Sequence, residues 1–211
     1  MRTEPRVALI RADALVASPW KNGGGVTREI AAEPPGASLD AFAWRVSVAD
    51  VAQPGPFSRF PGIDRTLVLL SGAGMTLAAE GGPRTLLAEP LDRYAFDGEL
   101  ALSAELTDGP TRDFNLMTRR SAVTGRVSVM TDGASLESRA PCVLLFCAHG
   151  TPAVAIDGGA EHRLGALDTV RIDCDLQADA IAASASVRCT MRGDGALLCI
   201  ELFPKAADLA A

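Results

Sequence analysis

The 211-residue sequence predicts an all-β protein made of two copies of one β unit. Three observations carry this. Short apolar runs such as "FAWRVSVADV", "RTLVLLSG", "MTLAAEGG", "CVLLFCAHG" and "PAVAIDGG" are cut roughly every ten residues by Gly, Pro and Asp, the rhythm of a sandwich or barrel. Helix signals are weak throughout. The stretch from Thr66 to Glu99 is repeated from Cys142 to Asp175.

Element by element, each copy opens on an apolar strand, "TLVLL" or "CVLLF". Leu67, Val68, Leu69 and Leu70 are apolar on both faces, as a strand covered on both sides should be. A turn of small residues ends in Gly74 or Gly150, and a second strand follows. Next comes an acid-Gly-Gly turn, Glu80-Gly81-Gly82 or Asp157-Gly158-Gly159. Leu91-Asp92 or Leu167-Asp168 then leads into another strand. The offset stays at about 76 residues, so two units are expected, residues 1–120 and 121–211. The Ala-rich end "FPKAADLAA" reads as a short helix or a frayed tail.

Composition excludes several function classes. A net charge of -6 and few aromatics argue against nucleic acid, which needs a basic surface or a stacking platform. No apolar run reaches the ~20 residues of a membrane span. Glu4, Arg11 and Asp13 interrupt the start where a signal peptide would be apolar. Five cysteines without a CxxC pair fit buried apolar residues of a reducing cytoplasm better than disulfides or a zinc site.

"LSGAGMTLAAEGG" and "LLAEPLDRYAFDG" resemble the hairpin and following strand of the cupin jelly roll. Two such units imply a bicupin, with jelly-roll sheets closing around a cup. Catalytic cupins hold a metal through a His-x-His element, a later Glu and a third His. Where His-x-His would fall, this chain has about Ser58-Arg59-Phe60, and its two histidines, His149 and His162, match no ligand spacing. No metal and no other cofactor are expected.

"WKNGGGVTRE" looks at first like a phosphate loop. A Walker loop places its lysine after the last glycine and before a helix, whereas Lys21 precedes Gly23-Gly24-Gly25 and a Pro pair follows. The dinucleotide fingerprint GxGxxG is absent too. What remains is a bare loop that allows close approach of backbone or ligand, ringed by polar side chains. Together "PWKNGGGVTREIA", "FAWRVSVADV", "GPFSRFPGIDRTLVLLSGAG" and "DGPTRDFNLMTRR" resemble the HutD/Ves family of bacterial bicupins, over most of residues 6–120. The resemblance implies a small cytoplasmic protein associated with histidine utilisation, which binds a pathway metabolite or limits pathway expression. It implies no established reaction.

Strand alternation selects the side chains that could meet in the first cup. Arg45 and Ser47 share a face, as do Asp113, Asn115 and Met117. Arg65 opens an apolar strand, so its guanidinium is expected near a rim. Lys21, Asn22, Arg45, Ser47 and Arg65 are expected to line the cup, with Thr27, Arg28 and Asn115 nearby. Such a set suits a small carboxylate, with Arg as a planar fork and Lys as a point charge. Formylglutamate, or next urocanate, would fit among products of histidine breakdown. Asp113 or Glu29 could instead neutralise the arginines as ion pairs. "PGPFSRFPG" is expected as a loop over the mouth with Phe57 and Phe60 as plugs. A non-catalytic regulatory binder, with a homodimer allowed for, is the favoured reading. A metal-independent isomerase, lyase or hydrolase acting on the same acid is the alternative, using Lys21 with Glu29 or Asp113. A pure interaction module is the third.

Overall fold

The computed structural model describes residues 4–174 and 186–205. The Ala-rich end beyond Lys205 and the last residue of the second repeat, Asp175, lie outside the described residues. In chain order the strands are β1 (Arg6–Ile10), β2 (Ala17–Pro19), β3 (Gly25–Glu33), β4 (Trp44–Val51), β5 (Gly55–Pro56) and β6 (Ile63–Ser71). There follow β7 (Met75–Ala79), β8 (Arg84–Leu87), β9 (Arg93–Asp97), β10 (Leu102–Leu106), β11 (Thr111–Arg119), β12 (Val123–Met130) and β13 (Ser135–Ser138). The remainder are β14 (Cys142–Gly150), β15 (Ala153–Ile156), β16 (Glu161–Arg163), β17 (Thr169–Asp173), β18 (Val187–Arg192) and β19 (Gly195–Pro204). One 3-10 turn at Ala12–Ala14 is the helical element among the described residues. The fold is an all-β bicupin.

The chain divides into two compact units. One holds residues 15–123 with Lys205, and the other holds residues 124–204 with the N-terminal residues as far as Ala14. The sequence expectation placed the whole start of the chain in the first unit, whereas its residues as far as Ala14 go with the second. β1, counted with the first unit in the sequence, pairs antiparallel with β17 from Arg6↔Asp173 to Ile10↔Thr169 in the second unit's sheet. Repeat matching starts at Thr66 and is blind to this, because an edge strand can add to any open sheet edge. Just beyond β1, Arg11 Nη1 meets Asp168 Oδ2 at 2.7 Å and the Ala12 amide donates to Asp168 Oδ1 at 2.8 Å.

Each unit is a pair of sheets. In the first, a six-stranded sheet in the order β2-β3-β4-β11-β6-β9 shares one apolar core with a four-stranded sheet, β5-β10-β7-β8. Inward residues of both sheets, Val51, Leu67, Leu69, Met75, Leu77, Leu87 and Leu102 among them, fill that core. Burying each stabilises the unit by roughly 1.5–3 kcal/mol. In the second, β1-β17-β14-β19-β12 is joined through its core to β13-β18-β15-β16. Val143, Leu145 and Cys147 on β14 and Leu197 and Cys199 on β19 make that interior apolar.

The repeat is visible in the backbone itself. Leu91 and Leu167, in matching Leu-Asp pairs, both adopt the left-handed region, at φ 75° and 69°. In each copy the following aspartate holds the turn: Asp92 accepts from the Ala88 and Glu89 amides, and Asp168 from Gly165. A side-chain oxygen that satisfies turn amides offsets the cost of a non-glycine residue there.

Candidate functional site

β4, β11 and β6 lie side by side, and their pairing stacks inward side chains in rows. Met117 stands between Arg45 and Arg65, Asn115 between Ser47 and Leu67, and Asp113 between Ala49 and Leu69. The polar members of these rows open into a cavity of about 740 Å³ within the first unit. Its wall includes Lys21, Asn22, Thr27, Arg45, Ser47, Arg65 and Asn115, which brings seven of the eight expected residues together. It also includes Trp20, Phe57, Phe60, Asp113 and Met117.

Arg28 is the exception. Thr27 and Arg28 alternate on β3, so if one faces inward the other cannot. Arg28 Nη1 instead pairs with Asp50 Oδ2 at 2.5 Å, and Arg112 Nε takes Asp50 Oδ1 at 2.6 Å.

Arg65 also departs from expectation. It is not at a rim but 5% exposed, with its guanidinium carbon 5.1, 5.5 and 5.0 Å from the ring centres of Phe57, Phe60 and Phe96. The two phenylalanines expected as plugs thus form a cage around a cation, which their ring faces attract. Burial brings the Arg65 pKa down to about 10, with Asp113 opposing the shift and Arg45 adding to it. Arg65 Nη1 donates to the Ser58 carbonyl at 3.4 Å, and its Nε has no partner.

The other cations are less constrained. Arg45 Nε donates to Glu29 at 2.7 Å, and Arg45 Nη1 reaches Ser47 Oγ at 3.3 Å. A bulge in β3 between Glu29 and Ala31 sets Glu29 opposite Ser47, within reach of Arg45. Lys21 and Asn22 are exposed on the glycine loop.

Asp113 joins the wall without having been expected as a ligand-binding residue. It is 2% exposed, and Oδ2 lacks a partner, as does Asn115 Oδ1. Burial raises the Asp113 pKa to about 7, with Arg65 pulling it down and Asp50 adding to the rise. Strand alternation alone places Asp113 beside Asn115, so the signal was present in "RDFNLM".

The glycine loop closes one end of this wall. The Trp20 amide donates to the Gly25 carbonyl at 2.9 Å, Asn22 Oδ1 accepts from the Gly24 amide at 3.0 Å, and the Trp20 indole donates to Thr27 Oγ1 at 2.7 Å. A Cβ on Gly25 would lie 2.5 Å from the Asp50 carbonyl and 3.1 Å from the Trp20 ring. Gly23 is different: it has open space but φ +69°. Gly25→Ala is therefore expected to cost about 2–3 kcal/mol through backbone overlap, and Gly23→Ala about 1 kcal/mol through conformation alone. Urea unfolding of both variants checks this, and equal midpoints would contradict it.

The donors in the wall do not fit a metal. Two guanidiniums and a nearby ammonium repel a cation, and Asp113 is the one carboxylate among the cavity residues. His149 and His162 belong to the other unit. What the wall suits is an anion that accepts hydrogen bonds.

Comparison with known proteins gives a consistent match. The HutD family model matches residues 12–198. An uncharacterized 21.2 kDa protein in the hutC 3′ region of Pseudomonas putida is 40% identical over 169 residues, covering 80% of this chain and 87% of its own length. Protein Ves of Cronobacter sakazakii is 45% identical over 111 residues, which is 52% of this chain and 59% of Ves. Among solved structures, HutD from Pseudomonas fluorescens SBW25 (formate condition) superimposes with a TM-score of 0.81 at 32% identity, covering 95% of this chain and 100% of that one.

Proposed function

The chain belongs to the HutD family, and from that premise we propose that its first cup binds a small carboxylate metabolite of histidine utilisation and acts as a non-catalytic regulator. The family is linked to the histidine utilisation locus, as the hutC-region relative illustrates. One observation carries the ligand class: Arg65 is a buried cation in a cavity wall with its Nε donor unused. A guanidinium with no salt-bridge partner is costly to bury, and a ligand carboxylate can supply two hydrogen bonds and a countercharge. Arg45 and Lys21 add positive charge along the same wall. Formylglutamate and urocanate are the metabolites this reading favours. A cytoplasmic location is part of the proposal, supported by five free cysteines, four of them buried. No helix among the described residues is long and apolar enough to cross a membrane.

Thermal shift against histidine, urocanate, formiminoglutamate and formylglutamate tests the proposal. A ligand present at 100 times its Kd stabilises the fold by ~2.7 kcal/mol. Arg45→Ala is expected to reduce the shift, because it removes charge from the wall and frees Glu29. A shift that is unchanged in this variant rules out binding along this wall.

A second reading, a metal-independent enzyme acting on the same acid, is favoured by one observation. Asp113 is a buried carboxyl held at about 7, where an acid or base is most effective. Incubating each metabolite with the protein and looking for product separates enzyme from binder.

A further inference from the structure

The carboxylate reading leaves two groups of the wall unused. Asp113 Oδ2 and Asn115 Oδ1 are both hydrogen-bond acceptors, both lie in residues less than a tenth exposed, and neither has a protein partner. They are successive inward positions of β11, and both residues line the cavity. With Asp113 ionised, a ligand carboxylate cannot satisfy them, since an anion brings acceptors only. A buried acceptor without a donor costs about 1–3 kcal/mol, so two of them side by side set a strong preference for what sits opposite.

We infer that Asp113 and Asn115 read an N–H donor on the ligand, so the pocket selects a carboxylic acid that also carries an amide or azole N–H over a plain acid of the same shape. This rests on the carboxylate-binding reading and adds to it a second recognition point with opposite polarity. Arg65 and Arg45 hold the anionic end, and the β11 pair holds the donor end. The row of Arg65 and the row of Asp113 are four residues apart along β11, roughly 13 Å of strand, with Asn115 between them. A ligand that reaches both ends is longer than acetate.

The discriminating probe is a pair of acids differing in one atom, N-acetylglutamate and 2-acetoxyglutarate, in which an ester oxygen replaces the amide N–H. Isothermal titration of the full chain at pH 7.5 should give at least tenfold tighter binding of the amide. In Asp113→Leu and in Asn115→Leu, the preference should fall, to within threefold in at least one of the two. Retained binding of the ester in these variants shows that the pocket is still folded. If both acids bind the wild type within threefold of each other, the donor inference is wrong and the carboxylate pocket stands. If neither binds, and formylglutamate and urocanate fail as well, the carboxylate reading falls and takes this inference with it.

Discussion

Arg65→Met is expected to weaken carboxylate binding about 100-fold or more while leaving the protein as stable as the wild type, or more stable. Truncating one partner of a buried, hydrogen-bonded charge pair costs about 2–5 kcal/mol of binding, and Arg65 is the least exposed cation of the wall. Stability moves the other way for two reasons. Keeping a guanidinium charged away from water is expensive, which is why burial brings its pKa down to about 10. Methionine follows the same path among Phe57, Phe60 and Phe96, and its thioether packs well against rings. Arg65→Lys should fall between, keeping a charge but losing the planar fork. Calorimetric titration and urea unfolding of the three proteins decide the matter. If Arg65→Met binds as the wild type does, another group holds the anion. If it unfolds at markedly lower urea, the guanidinium is a structural strut rather than a binding group.

The sequence goes a long way toward this site, but not evenly. Alternation along β4 and β11 was enough to put Arg45, Ser47 and Asn115 on one surface, because inward and outward residues in a strand obey a period of two whatever the partner strands do. The same rule, applied to "GVTRE", separates Thr27 from Arg28 and would have sent Arg28 to the outer face, where Asp50 receives it. Cage formation was not legible. Phe57 and Phe60 come from the loop before β6 and Phe96 from β9, which pairs with Arg65 only through the register of β6. A charged residue at the start of an apolar strand looks like a rim residue until those rings are placed.

The fate of the two acids shows the same limit. Both Glu29 and Asp113 were open as partners for the arginines, and composition cannot choose between them. Register does. The bulge in β3 brings Glu29 to Arg45 at 2.7 Å, whereas Asp113 sits two rows away from the arginines, opposite Ala49 and Leu69. One carboxylate joined a part-buried ion pair with a cation of the wall, and the other became a buried acid with an unpartnered oxygen. Pairing register depends on turns and bulges elsewhere in the sheet, so the functional difference between two identical charges arises from backbone geometry.

Asp113→Asn should stabilise the protein at pH 8 by clearly more than it does at pH 5. The Asp113 pKa is about 7 in the folded state against 3.8 for the free side chain, a rise caused first by burial. A carboxyl whose pKa rises on folding contributes stability that is fully present below pH 3.8 and is lost as pH climbs through about 7. Between pH 5 and pH 8 the folded protein gives up a proton that the unfolded chain has already lost, at a cost of roughly 3 kcal/mol. Asparagine has nearly the same shape and no proton to lose in this range, so its unfolding free energy should hold where that of the wild type declines. Urea unfolding of both proteins at pH 5, 6, 7 and 8 isolates the effect, since the remaining titrating groups cancel in the difference. Parallel profiles would mean that Asp113 is solvated well enough to ionise as an ordinary aspartate, and would remove the reason for expecting a ligand donor beside it. A difference that opens with pH, and closes again when a saturating amide-bearing acid is added, ties the strain of this buried acid to the occupant of the cup.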